Sequence, residues 1–290
     1  MKHETIMLRI KANYETRSKT YLTRRIPVIM RIDGKAFHTY TRGLNRPFDQ
    51  GLMEDMDLTA INLCKEIQGA KCAYVQSDEI SILITDYDDL QTQAWFDYEV
   101  QKMVSISAGI AVGQFNKLRL NRELSDKWDQ DKYNLDELLD EVVSKYTLAN
   151  FDSRVFNIPK EEVANYFLAR QKDAVKNSIS SVAQSLYSHS ELHQKNGNQQ
   201  QEMIFQKGIN WNDYSFGEKR GRFIIKRTYV EDILLDGDYL AEKDGEYLIY
   251  LDNQYNLLEK ANNDYTVRTR WEVVETPMTF SENDFKKWTT

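Results

Sequence analysis

The chain has 290 residues, 41% of them hydrophobic, and a formal net charge of −7. That is enough apolar chain for a sizeable core, and the charge excludes a protein that coats nucleic acid through a bulk basic field. Two cysteines, Cys64 and Cys72, are too few for a disulfide framework and read as buried thiols. The opening MKHETIMLRIKANYE lacks the apolar run of a signal peptide and no stretch approaches eighteen apolar residues, so a cytoplasmic protein is expected.

In chain order, the apolar run Ile26 to Met30 reads as a buried strand that leaves the core at Asp33-Gly34, a turn signal. Pro47 suits the first turn of a helix, and Leu52, Met56, Ala60, Leu63 and Ile67 form a core stripe through residues 47–68. Lys71 to Gln76 and the alternating Ile80, Ile82, Ile84 form a hairpin with Ser77-Asp78-Glu79 at its tip. If the strands pair, Asp33 and Asp78 converge at one sheet end, where two carboxylates repel unless a cation lies between them. Oxygen ligands of this kind suit magnesium, and such a pair can hold two ions that neutralise a phosphoryl group in flight. The competing reading is two ordinary acidic turns. Glu79 could face this site or its back.

Residues 93–118 and 160–188 read as helices, and residues 196–201 as a polar loop; 222–230 reads as a strand. Beyond it, short apolar runs broken by Asp-Gly pairs at 236–237 and 244–245 read as hairpins. Residues 229–290 hold 14 acidic against 6 basic residues, which leaves residues 1–228 with 31 against 32. A polyanion would therefore be held by local clusters: Arg17, Lys19, Arg24 and Arg25; Arg170, Lys172 and Lys176; Lys219, Arg220 and Arg222. Each could equally be a solvated face.

The runs RIDGKAFH (31–38), Asn45-Arg46-Pro47 and YVQSDEISI (74–82) are similar to the N-terminal half of the tRNA(His) guanylyltransferase family, with its bacterial and archaeal relatives. Further matches follow in order: Tyr14-Glu15, Arg24, Lys102 with Ser105, Phe151 to Arg154, Arg170-Gln171 with Asp173 and Asn177, Glu202, Gly208 to Asn212, and Gly221. The resemblance spans roughly residues 8–228 and implies an enzyme, a nucleotidyltransferase that extends RNA in the 3'-to-5' direction.

For the fold it implies an α+β polymerase- or cyclase-like palm, an antiparallel sheet with helices on one face, over residues 1–228. Residues 229–290 would be an acidic, β-rich C-terminal extension. Asp33 and Asp78 fall on the family's catalytic, metal-binding aspartates, and Gly34 falls where a backbone carbonyl also reaches metal, with two Mg2+ ions expected. Lys35, Ala36, Phe37 and His38 match the triphosphate-binding turn, where Phe37 is alternatively core and His38 alternatively structural. Arg46, Ser77, Glu79 and Lys102 complete the nucleotide contacts; Arg46 stands where lysine is usual. RNA contacts would come from Arg154, Arg170, Lys172, Asn177, Lys219 and Arg220. The implied partners are tRNA, ATP, and GTP or another NTP, in a homo-oligomer, with a tetramer as the expected form.

The chain also departs from the family. Glu99-Val100-Gln101 replaces basic residues before Lys102, Val175 to Ser180 replaces the stretch linked with selecting tRNA(His), and Ala169 stands where tryptophan is usual. These departures resemble the bacterial-type relatives that repair tRNA 5' ends by templated addition. A palm-fold nucleotide cyclase and a non-catalytic RNA-binding protein are the alternatives; no GGDEF-type sequence supports the first, and the presence of both aspartates speaks against the second.

Overall fold

The computed structural model describes residues 3–128, 134–232, 239–243, 247–251 and 265–274. The chain divides into two compact units, one of residues 1–225 with 273–290 and one of residues 226–272.

In the larger unit, helix α1 (His3–Ile10) leads to strand β1 (Val28–Gly34), the short helix α2 (Phe37–Tyr40) and α3 (Gln50–Glu66), then β2 (Ala70–Gln76) and β3 (Glu79–Ile84). Next come α4 (Val100–Lys127), α5 (Leu135–Lys145), β4 (Phe151–Asn157), α6 (Val163–Leu186), α7 (His189–Leu192), α8 (Gly197–Gln206), α9 (Phe216–Arg220) and the start of β5 (Arg222–Asp232). The strand order is β4-β1-β3-β2-β5, and the registers between these neighbours are antiparallel. The expected hairpin is β2–β3: Gln76 pairs with Glu79, and Ser77, at φ 47°, makes the turn.

Strand alternation sorts the core onto two faces. Ile29, Tyr74, Leu83 and Phe223 pack with Val163 and Phe167 of α6. On the opposite face Met30, Ile32, Ala73, Val75, Ile80 and Ile82 are fully buried, and two polar contacts identify what covers them. Ser107 of α4 donates to Ser153 Oγ at 2.8 Å, Ser153 being the register partner of Ile32. Arg222, the register partner of Val75, donates through Nε to Asp57 of α3 at 2.8 Å. Helices therefore cover both faces, which corrects the expected one-sided arrangement: the apolar stripe of α6 is as complete as that of α3, and each buries a different face of the same strands. Every large aliphatic or aromatic side chain enclosed this way contributes roughly 1.5–3 kcal/mol.

Local boundaries differ from the sequence reading for identifiable reasons. Helix α3 begins at Gln50, since Asp49 caps it by accepting from Leu52 N–H at 2.8 Å; Pro47 precedes the helix in a cis peptide. Asn196 and Gln199 form a capping box, so residues 197–201 open α8 and are no loop. Before α4, residues 96–98 take positive φ and are not part of that helix. Gly221, at φ 77°, ends α9 against Tyr74, whose hydroxyl donates to the Arg220 carbonyl at 2.6 Å and would collide with a Cβ there. Both cysteines are free and buried, as expected.

In the smaller unit β6 (Tyr239–Lys243) and β7 (Tyr247–Leu251) pair antiparallel, Lys243 opposite Tyr247. Strand β8 (Tyr265–Val274) follows β5 in sheet order, and Arg227 lies 3.5 Å from Glu272. The Asp-Gly pairs at 236–237 and 244–245 lie outside the described residues.

Candidate active site

β1 and β3 run side by side, so the exit of β1 and the tip of the hairpin end at one edge of the sheet. Gly34 N–H donates to the carbonyl of Asp78 at 3.1 Å, tying the two aspartate-bearing segments together. Lys35 N–H then donates to the Asn150 carbonyl at 2.8 Å, and Ala36 takes a left-handed φ of 54°, turning the chain into α2. Phe37 drops beneath the turn, its ring 5.2 Å from that of Phe151 and 5.6 Å from that of Phe115. At 5% exposure it is a core residue that supports the turn. Gly34 permits this: a Cβ there would collide with the Phe37 ring.

The turn and the hairpin tip open into a cavity of about 610 Å³, within the size range of small-molecule sites. Asp33, Gly34, Ala36, Phe37, His38, Arg46, Ser77, Asp78 and Asn177 all line it. Asp49 and Gln76 do too, and α6 adds Ser181, Gln184 and Ser185. The α6 residues escaped the sequence reading; their helical spacing from Asn177 was the available signal.

The two aspartates share an unfavourable environment. Burial is the main cause raising the Asp33 carboxyl above the usual range; the Glu79 and Asp152 charges add to it, and Arg31 and Arg154 oppose it. Asp78 is likewise raised chiefly by burial, with Asp33 and Glu79 adding to the shift and hydrogen bonds, including one to Ser77, opposing it. A cation between them would relieve both effects. The donors are all oxygen, as a hard divalent ion requires. Among the described residues no cluster of three or more His, Cys, Asp or Glu gathers to hold a metal, so a backbone carbonyl, water or substrate phosphate would complete the coordination, a mode that suits magnesium.

The remaining residues expected at the site are not on the cavity. Lys35 is exposed beside it. Glu79 is directly opposite Asp33 in the β1–β3 register, yet its carboxylate is held by Arg170, whose Nε donates to Oε1 at 2.7 Å. Arg170 thus sits in a largely buried ion pair with a side chain 18% exposed. Lys102 pairs with Glu99 at 3.6 Å, a carboxylate it shares with Lys19. Arg154 holds Asp152 at 2.8 Å and lies 4.0 Å from Asp33. Lys219 donates to the Asn212 carbonyl at 2.5 Å and sits over the Trp211 ring; Lys172 and Arg220 are exposed.

Other arginines of the expected polyanion clusters are, like Arg170, committed within the protein. Arg222 is 3% exposed and bound to Asp57 of α3, and Arg24 is held by Asp86 and Asp97. No helix among the described residues is long and apolar enough to cross a membrane.

The family model for tRNAHis guanylyltransferase (Thg1) matches residues 9–159. A bacterial tRNA(His) guanylyltransferase (Thg1)-like protein solved in complex with GTP shares 37% identity, with 98% of this chain and 97% of that one covered and a TM-score of 0.68. Another structure of such a bacterial protein, in complex with ATP, shares 45% identity over 76% of this chain and 88% of that one, with a TM-score of 0.65. A probable tRNA(His) guanylyltransferase of Dictyostelium discoideum is 24% identical over 224 residues, covering 72% of this chain and 79% of the relative. The chain belongs to the tRNAHis guanylyltransferase (Thg1) family, whose members are nucleotidyltransferases.

Proposed function

We propose that this protein adds nucleotides to the 5' end of tRNA in the 3'-to-5' direction, with Mg2+ held by Asp33 and Asp78. The observation that carries the reading is the Gly34–Asp78 hydrogen bond, which sets both aspartates and the turn after β1 at the mouth of one cavity. The bacterial relatives solved with ATP and with GTP support a nucleotide there.

In the proposed reaction the 5'-monophosphate of the RNA attacks the α-phosphorus of ATP, forming a phosphoanhydride and releasing pyrophosphate. The 3'-hydroxyl of the incoming NTP then attacks the activated 5'-phosphorus, displacing AMP, and the added nucleotide carries the new 5'-triphosphate, which water finally hydrolyses to a monophosphate with release of pyrophosphate. A 5'-triphosphorylated RNA needs no activation. Bound magnesium would lower the hydroxyl's pKa and neutralise charge developing on phosphorus.

The chain's own residues orient and bind. Gly34 and Lys35 spend their N–H groups on Asp78 and Asn150, and Thr39 N–H returns to the Ala36 carbonyl, so the amides of Ala36, Phe37 and His38 would meet phosphate oxygens. His38 and Arg46 line the cavity where they would meet the triphosphate. Asn177, Ser181 and Gln184 line it with amides and a hydroxyl that can each donate or accept. That neutral lining supports templated addition of more than one base, in line with the departures at residues 175–180. Lys102, paired with Glu99, is the candidate for the activating nucleotide's phosphates.

The test incubates the protein with magnesium, ATP, labelled NTPs and two 5'-monophosphorylated RNAs: tRNA(His) lacking its extra guanosine, and a different tRNA missing its first nucleotide. Extension of the second supports templated repair, and extension confined to tRNA(His) replaces that with selective guanylylation. No addition to either, even with a 5'-triphosphate, overturns the polymerase reading.

A further inference from the structure

Glu79 follows Asp78 in the chain and opposes Asp33 across the sheet, yet it is 6% exposed and does not line the cavity. Both of its oxygens are taken by one guanidinium: Arg170 Nε donates to Oε1 at 2.7 Å and Nη2 to Oε2 at 2.5 Å, while Nη1 is held by Asp173 at 3.1 Å. One turn earlier on α6, the Tyr166 hydroxyl lies 2.9 Å from Ser81 Oγ, which in turn donates to Glu79 Oε1 at 3.2 Å.

The spacing explains why two rungs form. Four residues of helix rise about 6 Å and two residues of strand about 6.6 Å, so Tyr166 and Arg170 meet Ser81 and Glu79 in step. On the other flank Arg31, whose Nε is buried without a hydrogen-bond partner, lies 3.9 Å from Glu79 and 3.9 Å from Asp33.

We infer that Arg170 is a positioning residue for the reaction: by gripping Glu79 it fixes the hairpin tip that carries Asp78 and keeps a third carboxylate from joining Asp33 and Asp78. The inference rests on the reading of those two aspartates as the catalytic pair. Arg170 is then an internal clamp, with its guanidinium unavailable to RNA. A bidentate fork is needed, since lysine supplies the charge without the planar geometry. Truncating Arg170 takes the close bidentate partner from a buried carboxylate and leaves it Arg31 at 3.9 Å, and truncating Glu79 leaves Arg170 with Asp173.

The test measures addition to a 5'-triphosphorylated RNA, with NTP and Mg2+ titrations, for Arg170→Met, Arg170→Lys, Glu79→Gln and the double variant Arg170→Met/Glu79→Gln of the full chain. Arg170→Met is expected to lower kcat about 10- to 100-fold with KM for the NTP within about threefold. The double variant recovers part of the loss, because the released carboxylate is gone. Arg170→Lys, which keeps the buried charge and therefore the fold, gives an intermediate kcat. A merely structural role would lower the folded fraction, read by thermal denaturation, while leaving kcat per folded molecule unchanged; that result overturns the inference.

It is also overturned if Glu79→Gln raises the NTP KM or the Mg2+ requirement more than Arg170→Met does, which would make Glu79 a direct contact. Asp33→Ala separates the two claims. Loss of activity in Asp33→Ala with none in Arg170→Met sinks the clamp alone, whereas retained activity in Asp33→Ala sinks the site reading and the clamp together.

Discussion

Asp33 and Glu79 face each other as register partners at the end of β1 and β3, but they have opposite fates: Asp33 lines the cavity and Glu79 is held by Arg170 of α6. One strand end thus supplies an acid to the cavity while its neighbour's charge is neutralised in the core. Register partners point to the same face, here the one α6 covers, so the separation comes from Arg170 gripping Glu79 while Asp33, at the exit of β1, is left to the cavity.

The close approach at Gly34 is testable by one methyl group. Gly34→Ala drives a Cβ into the Phe37 ring, which is already packed against Phe115 and Phe151. Overpacking of this kind costs about 1–3 kcal/mol, so urea denaturation should show a lowered midpoint. Nucleotide addition should fall as well, because the same ring supports the turn.

The environment of the aspartates fixes the sign of a pH effect. Both carboxyls are raised in the folded state, mainly by burial. Their contribution to stability is therefore fully present below the unfolded pKa, near pH 4, and is lost as pH rises through the higher folded values. In EDTA, Asp78→Asn should melt above wild type at pH 7 and lose that advantage on acidification to about pH 4. Adding Mg2+ should raise the wild-type melting temperature and leave the variant nearly unmoved.

Arg222 belongs to the core. Its side chain is 4% exposed against Asp57, so Arg222→Met takes the guanidinium away from a buried carboxylate and should destabilise the protein by about 3–5 kcal/mol. The double variant Asp57→Leu/Arg222→Met should recover much of that loss in chemical denaturation. An Arg222→Met protein as stable as wild type would contradict the assignment.

Much of this was legible in the chain. Alternating isoleucines after Ser77-Asp78 announced the hairpin, the Asp33-Gly34 exit marked the end of β1, and all nine of the expected site residues that line the cavity belong to the motifs and matches that carry the family resemblance. Periodicity could not tell which sheet face each helix would bury, because an apolar stripe carries no sign. Nor could it separate buried arginines from solvated ones. The partner of Arg222 is 165 residues away, and that of Arg170 is 91 away. Asn196 was misread for a local reason: polar residues serve loops and capping boxes alike, and only the reciprocal Asn196–Gln199 pair distinguishes them.

The most direct test of the central claim is single-turnover addition to a 5'-triphosphorylated tRNA missing its first nucleotide, which bypasses activation. Wild type, Asp33→Ala and Asp78→Ala would be compared in Mg2+, each shown to be folded by circular dichroism. The account predicts that wild type adds the nucleotide complementary to the opposing acceptor-stem base, and that both variants are slower by at least about 100-fold, in keeping with the several kcal/mol that metal-ion charge stabilisation supplies. Addition by either variant at the wild-type rate, or none by wild type, would contradict it.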